Sequence, residues 1–214
     1  MLYPRIIPCL LLQNGGLVKT FHFDNPKYIG DPLNAVRIFN EKQVDEIMVL
    51  DIDATSRGTE PNYELIRKLA SECRMPLCIG GGINSVKQIE MIIGLGVEKV
   101  AISAAAINNS NFISQAANRV GSQSIVVVMD VKKTGVLGRY EIFTHNGKKR
   151  TKLKPWEFAA KMEELGAGEI VLNSIDCDGV MKGYDLQSPV GQVMNREFCS
   201  LPEDITENRA MQLM

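Results

Sequence analysis

The chain has 214 residues, 45% of them hydrophobic and 23% charged, with a formal net charge of −1. These values suit one soluble globular domain, with or without a tail, and give no reason to expect nucleic acid or a membrane surface as a partner. No apolar run reaches the roughly 18 residues that span a bilayer. The five cysteines are scattered without a C-x₂-C pair, which argues against a disulfide scaffold or a metal site and for a reducing cytoplasm.

In chain order, the stretch after Arg5 lacks the long apolar region and cleavage site of a signal peptide and reads as a strand over 5–12. Residues 13–30 read as a long glycine-containing loop, functional or mobile. Asp31-Pro32 caps a helix near 31–43. A strand over 46–51 and a helix near 62–73 follow, then a strand over 77–79. Ser85 with Gln88 makes a capping box for a helix near 86–95. A strand over 99–102, a helix near 110–119 and a strand over 124–130 come next. Residues 132–149 contain a hairpin with Asn146-Gly147 as its turn. Lys154-Pro155 opens a helix near 155–165, and the last strand covers 169–174. Six strands alternating with five helices imply a parallel sheet covered on its outer face.

The chain also repeats itself. VDEIMVLDID (44–53) resembles AGEIVLNSID (167–176), and IIPCLLLQ (6–13) resembles IVVVMDVK (125–132). A duplicated half of about four βα units is what an eight-stranded barrel needs; an open doubly wound sheet would not call for it. Four of the strands begin with a charge: Arg5, Glu46, Lys99 and Glu169. Because residues two apart share a face, inward-pointing first residues place Ile7, Cys9 and Leu11, Met48 and Leu50, Ala101 and Ser103, and Val171 and Asn173 along an apolar lumen. The four charges are then either strand ends facing solvent or a neutral, mutually paired gate, since buried charges must pair.

At the other end, Gly80-Gly81-Gly82-Ile83 either makes a tight turn or bares backbone N–H groups to a phosphate, with Ser103 beside it. Asp130 ends an apolar strand; it either pairs with Lys132 or Lys133 or carries acid/base work. Asp178-Gly179 either lines a second anion pocket or forms a turn. Asp51 and Asp53 suit helix capping better than a metal, and neither His22 nor His145 belongs to a nucleophile triad.

The segments RIIPCL, DEIMVLDI, GGGI, VGSQSIVVVMD, HNGKK, LGAGEIVLNSIDCDG and KGYDL together resemble the cyclase subunit (HisF) of imidazole glycerol phosphate synthase over residues 1–186. The resemblance implies a (β/α)₈ TIM barrel without a cofactor. It also implies a glutaminase subunit that docks at the lower face and sends ammonia through the lumen. At the upper face ammonia would meet a phosphorylated substrate, a phosphoribulosyl-formimino aminoimidazole carboxamide nucleotide. It assigns Arg5, Glu46, Lys99 and Glu169 to the gate, Lys19 to a mobile active-site loop, Gly81 and Gly82 to one phosphate site, Asp178 and Gly179 to the start of a second, and Asp130 to one of two catalytic aspartates.

Three departures stand out. The other aspartate is Leu11, which cannot carry a proton. An asparagine and a threonine of the first phosphate site are Ser103 and Ala104. A threonine in strand six is Asn173. These departures resemble a branch thought to supply ammonia to a sugar amidotransferase in surface-polysaccharide synthesis. Residues 187–214 carry no strand-like run, which suggests about six βα units followed by an atypical tail. Three functions follow as expectations: a cyclase subunit of histidine synthesis, an ammonia-channelling partner of a sugar amidotransferase, or an inactive truncated remnant.

Overall fold

A computed structural model describes residues 5–135 and 138–181. The atypical tail lies outside the described residues. The elements, numbered along the chain, are β1 (Cys9–Gln13), β2 (Gly16–Phe21), β3 (Asp24–Gly30), α1 (Pro32–Lys42), β4 (Ile47–Asp51), α2 (Ala54–Arg57), α3 (Tyr63–Glu72), β5 (Leu77–Gly80), α4 (Val86–Gly94), β6 (Lys99–Ile102), α5 (Ala104–Asn108), α6 (Asn111–Val120), β7 (Ile125–Thr134), β8 (Arg139–Thr144), β9 (Lys149–Arg150), α7 (Pro155–Glu164) and β10 (Glu169–Ser174). No described helix is long and apolar enough to cross a membrane.

Six strands pair in parallel, in the order β1-β4-β5-β6-β7-β10. The strands form a curved arc that does not close among the described residues. Side-chain alternation splits their apolar residues into two cores. Ile47, Val49, Leu77, Ile79, Val100, Ile102 and Val127 face outward onto Val36, Ile66, Leu69, Ile89, Ile92 and Ile113 of the helices. Met48, Cys78, Ala101, Val126 and Val128 face inward and form a second cluster, joined by Ile7, Leu50 and Val171. Burial of this kind contributes about 25 cal/mol per Å² of apolar area and holds the arc.

The helix starts follow local chemistry. Asp31 accepts from Asn34 N–H at 3.0 Å, with Pro32 in the first turn. Ser85 and Gln88 form a reciprocal capping box. Lys154 precedes Pro155 but makes no side-chain cap. Asp51 Oδ1 accepts from the N–H groups of Asp53 and Ala54 at the start of α2.

Three expectations need correction. Residues 13–30 are not a loop but the β2–β3 hairpin, with β2 antiparallel to β1 through Leu12↔Leu17 and Gln13↔Gly16. Its first turn is Asn14-Gly15, both at positive φ (53° and 78°), the pairing that a two-residue type I′ connection demands. Arg5 and Glu46 do not begin strands; they precede β1 and β4. The insertion holds two hairpins instead of one: β7 runs on past Asp130 to pair with β8, and the Asn146-Gly147 turn joins β8 to β9.

The capping box gives a direct test. Ser85→Ala should lower the stability measured by urea unfolding by about 1 kcal/mol. Ser110→Ala, at the start of α6 where no side-chain cap bond exists, should leave the midpoint nearly unchanged.

Candidate functional site

The inward faces of the strands enclose a cavity of about 1780 Å³. Its walls run from Arg5 and Glu169 at the lower end, past Ile7, Met48 and Val128, to Asp130, Ser103, Gly81 and Asp178 at the upper end. The inward set predicted from alternation lines this space: Cys9, Leu11, Leu50, Ala101, Val171 and Asn173 belong to it.

The four charges predicted at the strand starts meet at the lower end. Arg5 Nη1 reaches Glu46 Oε2 at 3.1 Å and its Nη2 reaches Glu169 Oε1 at 2.9 Å. Lys99 Nζ lies 2.6 Å from the same Glu46 oxygen and 2.8 Å from the same Glu169 oxygen. The side chain of Glu46 is 2% exposed, that of Lys99 14%, and that of Arg5 48%. Burial works against the Lys99 ammonium, but its bonds to Glu169 and Glu46 outweigh that and hold its pKa above the usual lysine value. Burial likewise opposes ionisation of Glu169, and Lys99 and Arg5 override it and hold the carboxyl below its usual range. The Glu169 bond is also the main reason the Arg5 pKa is raised. Two cations and two carboxylates make a ring with no net charge, as low-dielectric surroundings require.

The upper end is polar. Asp130 sits where β7 exchanges partners, with Asn173 opposite it on β10 and Phe143 on β8. Asn173 Nδ2 donates to Asp130 Oδ1 at 3.2 Å, so an amide, rather than the lysines considered from sequence, supports this carboxylate. Enclosure pushes the Asp130 carboxyl up to about 6; the Asn173 bond pulls it down and the charge of Asp178 adds to the rise. Leu11 lies on β1, four strand steps away, and lines the same cavity. Enclosure also pushes the Cys9 thiol up to about 12 and raises Cys78 further, so neither thiol is an activated nucleophile.

Gly81 and Gly82 have positive φ (108° and 71°) and line the cavity. A Cβ would fall 2.4 Å from Asp51 O at Gly81 and 2.6 Å from Thr59 O at Gly82. Both glycines are therefore required for backbone packing against the segments on either side of α2, and the same bareness leaves their peptides open to a ligand. Ser103 precedes α5, makes no side-chain cap bond and also faces the cavity.

Two expected residues stand apart from it. Lys19 is exposed on β2, its Nζ 3.8 Å from the Met181 sulfur, and does not line the cavity. Gly179 backs onto β2, where a Cβ would fall 2.2 Å from Thr20 O.

Sequence reasoning missed how Asp178 is used. Its carboxylate accepts from Thr20 Oγ1 at 2.9 Å and Phe23 N–H at 2.8 Å, and its carbonyl accepts from His22 N–H at 3.0 Å. His22 and Phe23 form a turn with positive φ at both residues (51° and 62°), a conformation uncommon for such side chains. The Asp178 bonds therefore hold the β2–β3 hairpin over the end of β10. It also missed His145 and Asn146, which line the upper cavity; the Asn-Gly turn signal was legible, but not where the turn points.

The raised Asp130 pKa fixes the sign of a pH effect. Unfolded, the group releases its proton near pH 4; folded, near 6. The folded state thus holds the extra proton between these values, and stability falls as pH rises through that window. Asp130→Asn, which keeps an acceptor for Asn173, should gain roughly 2–3 kcal/mol over wild type in urea unfolding at pH 7.5 and almost nothing at pH 4.

Comparison with known proteins agrees with this geometry. The family model described as "Histidine biosynthesis protein" matches residues 5–197. A Leptospira interrogans protein provisionally named imidazole glycerol phosphate synthase subunit HisF is 58% identical over 202 residues, covering 94% of this chain and 78% of the relative. A similarly named hisF3 product of Vibrio vulnificus strain YJ016 is 57% identical over 188 residues (88% and 72%). A hisF2 product of Pseudomonas aeruginosa is 54% identical over 185 residues (86% and 73%). With six parallel strands in sequential order around one cavity, the chain belongs to the HisF-like histidine-biosynthesis family, whose fold is the TIM barrel.

Proposed function

We propose that this chain is a synthase subunit that receives ammonia from a HisH-like glutaminase at the lower face and passes it through the lumen to a phosphorylated substrate at the upper face. The observation that carries the reading is the paired ring of Arg5, Glu46, Lys99 and Glu169 across one mouth of a continuous cavity that ends at Asp130. A neutral ring is tolerated without water and opens when one of its ion pairs parts. Beyond it, Ile7, Met48, Val128 and Val171 offer an apolar path. Such a path disfavours ammonium and admits uncharged ammonia, because an unpaired charge is costly there. At the upper end Gly81, Gly82 and Ser103 receive one phosphate and Asp178 borders a second. Asp130, near pH 6, is poised to exchange a proton with the reacting groups.

The acceptor follows from Leu11. With the phosphoribulosyl-formimino aminoimidazole carboxamide nucleotide the chain acts as a cyclase of histidine synthesis. The leucine opposite Asp130 favours a second reading, in which the ammonia serves a sugar amidotransferase of surface-polysaccharide synthesis.

The test compares nitrogen sources. With glutaminase partner and glutamine, Arg5→Ala should reduce turnover of the cyclase substrate about tenfold, while turnover with ammonium chloride, which bypasses the lower mouth, stays within about twofold. Equal losses with both sources would refute conduction through the ring. Leu11→Asp should raise ammonium-supported cyclisation by at least about tenfold if the missing carboxylate limits it. No increase would show that the lost carboxylate is not the deciding defect.

A further inference from the structure

The cyclase reaction proposed above needs two proton-handling groups, and the site has a carboxylate, Asp130, at the β7 position but a leucine, Leu11, at the β1 position. When ammonia adds to a ketone, the nitrogen forms a bond to carbon and the carbonyl oxygen takes up a proton. Loss of water then leaves a C=N bond. Over both steps two protons leave nitrogen and two arrive at the departing oxygen, so an acid and a base are both used.

The chain contains two histidines, and one of them, His145, lines the same cavity as Asp130. It begins the four-residue turn between β8 and β9, closed by the pair Thr144↔Lys149. His145 and Asn146 both have positive φ (54° and 56°), an uncommon conformation that persists where surrounding structure enforces it and that clusters at functional sites. The enforcement is visible: Thr144 is buried, and Gly147 lies against Ile175 and Phe23, so that a Cβ there would be 3.3 Å from Ile175 Cδ1. The imidazole is oriented as well. Nδ1 is 2.9 Å from Thr144 Oγ1, and no described residue bonds Nε2. We infer that His145 is the second proton-transfer group of this site, its Nε2 taking protons from the incoming nitrogen while Asp130 protonates the leaving oxygen. The protonated imidazole and the aspartate then re-equilibrate through solvent, so no net proton is consumed.

This inference rests on the cyclase form of the ammonia-transfer reading, and the experiment separates the two. Wild type and His145→Asn are assayed with the cyclase substrate and ammonium chloride; asparagine tolerates positive φ, which protects the turn. The expected result is a loss of at least about hundredfold in kcat with KM within about threefold, partly restored by added imidazole. In ¹⁵N spectra of the two imidazoles, assigned with His22→Gln, substrate should move the Nε2 signal of His145. If wild type turns over and His145→Asn stays within about threefold, or if substrate binds without moving the His145 signal, the inference is overturned while the ammonia-transfer reading stands. If wild type neither binds nor converts the substrate, the cyclase reading falls and the inference falls with it.

Discussion

Burying charge is tolerable only when the charge is shared, and the lower end of this barrel is built around that constraint. Glu46 is almost wholly buried and accepts from both Arg5 and Lys99; Glu169 accepts from the same two cations. The four residues come from the segment before β1, the residue before β4, the start of β6 and the start of β10. No backbone ladder joins β10 to β1 among the described residues, yet Arg5 joins Glu169 directly. The ring therefore does what hydrogen-bonded strand pairing does elsewhere: it fixes the distance between distant parts of the sheet. Losing one member leaves its partners desolvated and half-paired, which costs more than the absence of the whole set.

Above the ring the lumen changes character within a few residues. Met48, Cys78, Ala101 and Val126 form a dry layer; Asp130, Asn173, Ser103 and Asp178 then introduce polar groups at the upper mouth. The same enclosure that makes the layer apolar raises the Asp130 pKa, because burial disfavours the charged carboxylate. The internal repeat sharpens the asymmetry at that point. Aligning IIPCLLLQ with IVVVMDVK puts Leu11 where Asp130 stands, and aligning VDEIMVLDID with AGEIVLNSID puts Glu46 where Glu169 stands. The duplicated halves have kept matching carboxylates in the ring and unmatched residues at the chemical end.

Strand alternation sorted the residues into two faces, because a period of two puts residues two apart on one side; that the face of Arg5, Glu46, Lys99 and Glu169 is the inward one was decided by their meeting in space. The capping signals at Asp31 and Ser85 were equally legible, being local contacts between residues three apart. The 13–30 segment carries a hairpin signal, Asn14-Gly15 between apolar residues, which the exposed, polar strand β3 obscures. Asp178 could not be read. Its partners Thr20, His22 and Phe23 lie more than 150 residues earlier, and nothing local marks a carboxylate as the anchor of a distant turn.

The amino-acid sequence by itself determined the six parallel strands and the five helices between them, the two faces of each strand, the neutral charge set and the substitution at Leu11, because each follows from residue identity and short-range periodicity. Only the tertiary structure decided that the four charges share two carboxylate oxygens, that Asn173 supports Asp130, that the β2–β3 hairpin is tied to the end of β10, and that His145 faces the cavity while Lys19 does not. Those facts depend on strand register and on how turns lean once packed, and both are set by contacts between residues far apart in the chain.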